Sequence, residues 1–478
     1  MAQLMGGGTA PAAAVPEDAL AYVSLDLDPS AGQKLEALST LRKFPALRDH
    51  LGVGSGDDLR RWAFRGLTAD TPCKGLDFDT DIAPWLGDRV ALAVLPGAGE
   101  PTPIGLVQVT DQDAATAGVA KIAACTDEPA PGTAYTGDYL VLADTDALAK
   151  KAAADAEAGA LADNASFERW VDEAGGAGIV TAYVGADAPA TLLDQADSAG
   201  GDLTDAPFAG DDELRKQLAD FDGAALSVRF DQGALEVETA SSSVSDLPAD
   251  AVTTGDGGLG TLPGSTAVAL GFPVGDGLAQ YLVNQATAED PSAADELKQF
   301  EAQSGLSFPD DLQTLLGDGV SVAVDSSIDL RGLFDSSPEP STIPVGLRIS
   351  GDPASIRPVL DKLIAAMGPS ASDLVAVDGK DAVAVGLNRG YLTTLAGDPA
   401  DDAALGGKAG FNSAVPNIED SNGAVYVDFD AGDWLTKMLE GDPGAAEAKA
   451  NVEPLDTLGV SGRIDGDVLH GLLRLTTD

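Results

Sequence analysis

Carboxylates dominate the side chains of this sequence that could do chemistry. Asp77, Asp79 and Asp81 alternate in "DFDTD", and Asp428, Asp430 and Asp433 crowd "DFDAGD". Hard oxygen donors at such spacing suit Ca²⁺, which takes about six to eight of them. Both groups are therefore candidate calcium positions, and no other cofactor is indicated. The EF-hand pattern is not met, because Ile418 stands where the first ligand belongs ahead of Asp420, Asn422 and Gly423. Asp26 and Asp28, one residue apart in "SLDLDPSAGQKL", raise the alternatives of metal ligands, a catalytic pair or a structural joint.

Other chemistries find less support. "GVGSGDD" surrounds Ser55 with glycines but lacks the GxSxG spacing of a nucleophile elbow. His50 and His470 are the two histidines of the chain, too few for a zinc site of ordinary type. "GDGGLG" at Gly255–Gly260 matches a dinucleotide fingerprint, yet it precedes a strand instead of opening a helix, so it reads as linker. With no catalytic constellation, a non-enzymatic role is expected.

The elements that hold these residues explain many of the aspartates. Strand, acidic residue, then helix recurs at "LDLDPSAGQKL", "VQVTDQDAATAGVAKI", "AYVGADAPATLLDQ", "PVGDGLAQYL", "RISGDPASIRPVLDKL" and "YVDFDAGDWLTKML". An aspartate at such a joint accepts hydrogen bonds from the first free helical N–H groups and meets the positive end of the helix dipole. Asp28 and Asp352 are accordingly expected as N-caps, with Pro29 and Pro353 at the first helical position. Asp26 is expected on the solvent side of its strand.

Alternation of apolar residues in Ala21, Val23, Leu25 and Leu27, in "RVALAVL" and in "PIGLVQV" predicts strands, and "ALSVRFDQGALEVET" a hairpin turning at Asp231, Gln232 and Gly233. The pattern then repeats. "DIAPWLGDRVALAV" returns as "DLQTLLGDGVSVAV", and "PTPIGLVQVTDQDAATAGVAKI" as "TIPVGLRISGDPASIRPVLDKL". The fold expected is α+β: a tandem duplication of a module with an antiparallel-rich sheet and helices packed on one face. Its parts are a flexible Gly/Ala/Pro linker over 1–18, a first module over 19–245, an inter-module linker over 246–260 and a second module over 261–478.

Acidic residues number 77 against 28 basic ones, a formal net charge of −49 that repels nucleic acid. The stretch from Lys34 to Arg65 departs from this balance. Arg42, Lys43, Arg60, Arg61 and Arg65 there form a possible basic surface toward an anionic membrane or polymer. Cys73 and Cys125 are the two cysteines, and one disulfide between them would place the chain in an oxidising compartment. The chain has no run of 18 apolar residues, and its Gly/Ala/Pro opening suggests a spacer from a preceding membrane anchor that this sequence omits.

"ALAYVSLDLDPSAGQKLEALSTLRKFPAL", "DIAPWLGDRVALAVLP", "YTGDYLVLAD" and "LLGDGVSVAVDS" resemble an actinobacterial family known only as a domain of unknown function. The resemblance implies a short cytoplasmic part, one transmembrane helix and a large extracytoplasmic region, and brings no catalytic residues. The function expected is a membrane-tethered binding or scaffolding protein at the cell envelope, its partner an envelope protein, polymer or lipid. The alternative is a carrier of a lipid or other apolar ligand in a groove between the modules.

Overall fold

Alternating side chains give the strands their two faces, and sixteen of them form among the described residues. The computed structural model describes residues 10–46, 60–61, 76–97, 100–126, 129–191, 218, 220–242, 247–289, 292–335, 339–439 and 444–478. In chain order the strands are β1 Ala21–Asp26, β2 Leu86–Leu95, β3 Thr102–Val109, β4 Gly132–Thr136, β5 Tyr139–Ala143, β6 Val180–Gly185, β7 Gly223–Asp231 and β8 Ala234–Ser242. They continue with β9 Thr266–Pro273, β10 Gly319–Asp325, β11 Val345–Ser350, β12 Val375–Asp378, β13 Ala382–Gly386, β14 Gly423–Asp428, β15 Leu455–Asp465 and β16 Val468–Thr477.

The expected fold is corrected on two points. The strands belong to one sixteen-stranded sheet, ordered β12-β13-β11-β10-β9-β14-β15-β16-β8-β7-β6-β1-β2-β3-β5-β4, and not to two sheets of duplicated modules. Periodicity within a strand carries no information about which strand lies beside it. Helices, moreover, cover both faces of the sheet. Along β3, Leu106 enters one core and Val107 packs against another; along β5, Val141 and Leu140 divide in the same way. Strands apolar at every position, such as Tyr139–Ala143, are what burial on both faces requires.

Two compact units share the chain, residues 1–232, 236–244 and 466–470 in the first and 233–235, 245–465 and 471–478 in the second. In the first, α1 is Ala31–Lys43, α2 Gln112–Thr126, α3 Asp146–Ala158 and α4 Ala165–Glu173. Ala149, Ala152 and Ala153 of α3 and Phe167, Trp170 and Val171 of α4 pack with Tyr22, Ala93 and Tyr183 of the sheet. Phe167 meets Tyr22 and Tyr183 edge to face at 5.6 and 5.3 Å. On the opposite face, Phe78, Ile82 and Trp85 pack with Ala115 of α2.

In the second unit, α5 is Pro353–Met367, α6 Arg389–Leu395, α7 Ala409–Ala414 and α8 Trp434–Met438. Tyr391, Leu392 and Leu395 of α6 and Phe411 of α7 pack with Ala269, Ala384 and Tyr426. Ile356 and Leu360 of α5 pack on the other face with Val383 and Val385.

Within the described residues, parts of both expected linkers are packed and not free spacer, while residues 1–9 and 246 lie outside the described residues. Pro11–Ala14 forms a 3₁₀ turn whose Ala12 and Ala14, with Val15, lie in the first core, and Pro16 bridges to Ala160. Leu259 and Leu262 are fully buried in the second core, while Gly255 N–H donates to Ser421 O and Leu405 N–H to Leu262 O. Alanine, proline and glycine read as spacer by composition. Their small volume also lets a chain tuck tightly beneath packed helices.

Candidate functional site

The sequence-derived positions scatter when placed in the fold. Asp77 caps the turn Phe78–Ile82, accepting from Thr80 N–H at 3.0 Å, and Asp81 is held by Lys121 Nζ at 2.5 Å. That ammonium keeps the Asp81 carboxyl below its ordinary value. Asp79 takes Arg61, whose guanidinium also lies over the Phe78 ring at 4.8 Å. Cap and cations thus occupy these three carboxylates, and they do not converge as a calcium site.

Asp28 is corrected as a cap. Helix α1 begins at Ala31 with Ser30 at its N-cap and no side-chain bond there, because the chain stays extended past Pro29. Asp28 instead pairs with Lys34 at 2.6 Å. Asp26 is corrected from the solvent side: it pairs with Arg89 of β2 at 3.2 Å, their side chains 18 % and 10 % exposed. Asp352 does cap α5, accepting from Ala354 N–H at 3.1 Å and Ser355 Oγ at 2.7 Å, bonds that hold its carboxyl low.

Two cations of the basic surface, Arg60 and Arg61, are paired. Arg60 donates to Leu86 O at 3.0 Å and lies 3.6 Å from Asp88, and Arg61 binds Asp79. Arg42 and Lys43 form the last turn of α1, while Arg65 lies outside the described residues. Cys73 also lies outside them and Cys125 is in the last turn of α2; no disulfide is present among the described residues, so the expected pair is unsupported. Ser55 and His50 are likewise outside, and His470 stands 3.6 Å from Glu173. The amides of "GDGGLG" are used internally, Gly258 and Gly260 N–H donating to the Asp256 carboxylate at 2.8 and 3.0 Å.

The last acidic group leads to a cavity. Asp428 at the end of β14 accepts from Asp430 N–H at 3.1 Å and Ala431 N–H at 2.8 Å, which turns the chain so that Asp430 faces β15. Phe429 N–H donates to Asp456 O and Asp478 N–H to Pro454 O, bringing three elements together. Asp430, Asp456 and Asp478 consequently place carboxylate oxygens within 4.8 Å of one another. Asp433 is corrected out of this group, sitting at the N-cap of α8 with φ 55°. Asp456 and Asp478 were not visible as partners in the sequence, since they come from opposite ends of the β15–β16 hairpin.

The cavity holds about 390 Å³, and Asp428, Asp430 and Asp456 line it with Lys408. Ser265, Ser326, Tyr426 and Thr457 add hydroxyl-bearing walls. Thr457 Oγ1 and Thr476 Oγ1 share a hydrogen bond at 2.6 Å, and Thr476 passes one to Asp456 Oδ2 at 2.9 Å. Burial, then repulsion from Asp478, Asp456 and Asp428, pushes Asp430 up to about 6. Burial also raises Asp428, and burial, then the neighbouring Asp428, raises Tyr426. Chemically, such a place stabilises a positive charge. Asp430, Asp456 and Asp478 are the described residues that could hold a metal ion.

A family described as a protein of unknown function, DUF3352, matches residues 2–128. No curated protein matches the chain. A solved structure titled "Structure of crystal form III of TP0453" is similar at 13 % identity over 46 % of this chain and 80 % of that one, with a TM-score of 0.19.

Proposed function

We propose that this chain is a non-enzymatic binding protein of the cell envelope, held outside the cytoplasm by a membrane tether, and that its acidic cavity takes a cationic ligand. The observation that carries the reading is the convergence of Asp430, Asp456 and Asp478 within 4.8 Å beside the cavity. Like charges this close repel, and a bound cation relieves the repulsion. Calcium and small organic ammonium ions are the two probes. Thermal melting at fixed ionic strength is expected to rise with Ca²⁺ or ethanolammonium and to lose that response in Asp430→Asn and Asp456→Asn. A melting curve that ignores both probes sinks the cavity as the binding element. The tether is tested separately, by protease accessibility on intact host cells.

A second reading, a carrier of lipid or another apolar ligand, is favoured by one surface of the first unit. Leu92 of β2 is 64 % exposed, beside Val23 of β1 in register, and Val184 of β6 is exposed nearby. Native mass spectrometry of protein purified from its own host distinguishes the readings: a carrier retains an apolar molecule, whereas a binder of cations does not.

A further inference from the structure

We infer that the second unit holds a small monovalent anion, of the chloride kind, between Arg348 of β11 and Ser321 of β10. The position shares no residue with the acidic cavity and does not depend on the proposed function. Register is the first argument. Ser321 and Arg348 stand directly opposite each other in the antiparallel pair of β10 and β11, so their side chains leave the sheet on the same face as close neighbours. Arg348 is 7 % exposed and Ser321 is fully buried.

Hydrogen-bond accounting is the second. Arg348 Nη1 donates to Ser350 Oγ at 2.8 Å. Arg348 Nε and Ser321 Oγ, both buried, have no partner among the described residues. Gly258, at φ 83°, brings bare backbone onto this spot. A Cβ there would stand 2.7 Å from Ser350 Oγ, 3.1 Å from Arg348 Nη1 and 3.8 Å from Ser321 Oγ. Three polar side chains therefore converge beneath one glycine, and two of them offer an N–H and an O–H that nothing in the chain receives.

Charge is the third. A guanidinium stays protonated in proteins, and a buried charge is costly unless a counter-charge meets it. The carboxylates whose fields reach Arg348 are Asp256, Asp398 and Asp381, and each is engaged elsewhere. Asp256 accepts from Gly258 and Gly260 N–H at 2.8 and 3.0 Å, while Asp381 and Asp398 flank Lys380 at 3.3 and 3.8 Å. A chloride accepting from Arg348 Nε and Ser321 Oγ satisfies both donors and supplies the negative charge that these carboxylates do not bring into contact.

Thermal melting of the full chain tests this at pH 7 and a fixed ionic strength of about 0.15 M, comparing sodium chloride and sodium bromide with sodium gluconate, whose anion is too large for an enclosed position. Both halides are expected to raise the melting temperature by at least about 2 °C over gluconate, and the rise should saturate with halide concentration. Arg348→Met should abolish the rise and Ser321→Ala should shrink it. Lys298→Met, which removes an exposed cation of the same unit, should leave it intact. Crystals grown in bromide should show an anomalous peak beside Arg348 Nε. Equal melting in halide and gluconate overturns the inference and leaves water as the partner of both donors. A halide rise that survives Arg348→Met places the anion elsewhere and overturns it too. Should Arg348→Met fail to fold, Ser321→Ala and the bromide peak decide, and absence of the peak overturns the inference.

Discussion

Burial and three neighbouring carboxylates push Asp430 up to about 6, and the sign of the consequence is set by the unfolded value of about 3.9. Between about pH 4 and 6 the folded chain binds more protons here than the unfolded chain. Its contribution to stability therefore falls as pH rises through that window. Melting followed from pH 4 to pH 7 should show this slope, and Asp430→Asn should flatten it and raise the melting temperature at pH 7 by about 2 °C. Asp81 and Asp467 work in the opposite sense, lowered chiefly by Lys121 and Arg169; what they contribute is present above about pH 4 and lost below it. Asp26 and Arg89 form a half-buried pair in the first unit. Asp26→Ala leaves a guanidinium without its carboxylate and should cost about 2–3 kcal/mol in urea unfolding, whereas joint replacement by Asp26→Leu and Arg89→Met should recover most of that.

Two helix starts test what a cap contributes. Asn164 of α4 accepts from Ser166 and Phe167 N–H at 2.9 and 3.1 Å and donates to Glu17 O. Asn164→Ala is expected to cost about 1–2 kcal/mol. Ser30 precedes α1 without a cap bond, and Ser30→Ala should stay within about 0.5 kcal/mol; equal losses at both positions would contradict the assignment. The sequence made Asp352 legible as a cap because glycine, aspartate and proline fall in helical register there. Asp28 and Pro29 offered the same letters, but an extended Pro29–Ser30 delays the helix. Strands such as β1 and β2 and the turn at Gln232 and Gly233, with φ 51° and 84°, could be read from alternation and turn chemistry. The cavity could not. Its carboxylates meet through backbone bonds from Phe429 and Asp478, and no spacing rule anticipates those.

A net charge of −49 acts on the whole molecule. Raising NaCl from 20 mM to 1 M shortens the screening length to about 3 Å, so self-repulsion should fade and the melting temperature should climb. A flat response would mean that local pairs such as Arg229 with Glu236 and Glu238 already compensate it. The same scale explains why one sheet was read as two modules: the residues of β8 and β16 do not name their neighbours. The buried turn Pro11–Ala14 carries a mechanical consequence for a chain pulled from its N-terminal end. A load entering there meets the antiparallel contact of Pro16 with Ala160 and the bond from Leu161 N–H to Val15 O at 2.8 Å before it reaches β1. Those links, with Val15 sealed in the core, make the opening segment a shock absorber in series with the sheet, so stretching should release one short segment before the strands part.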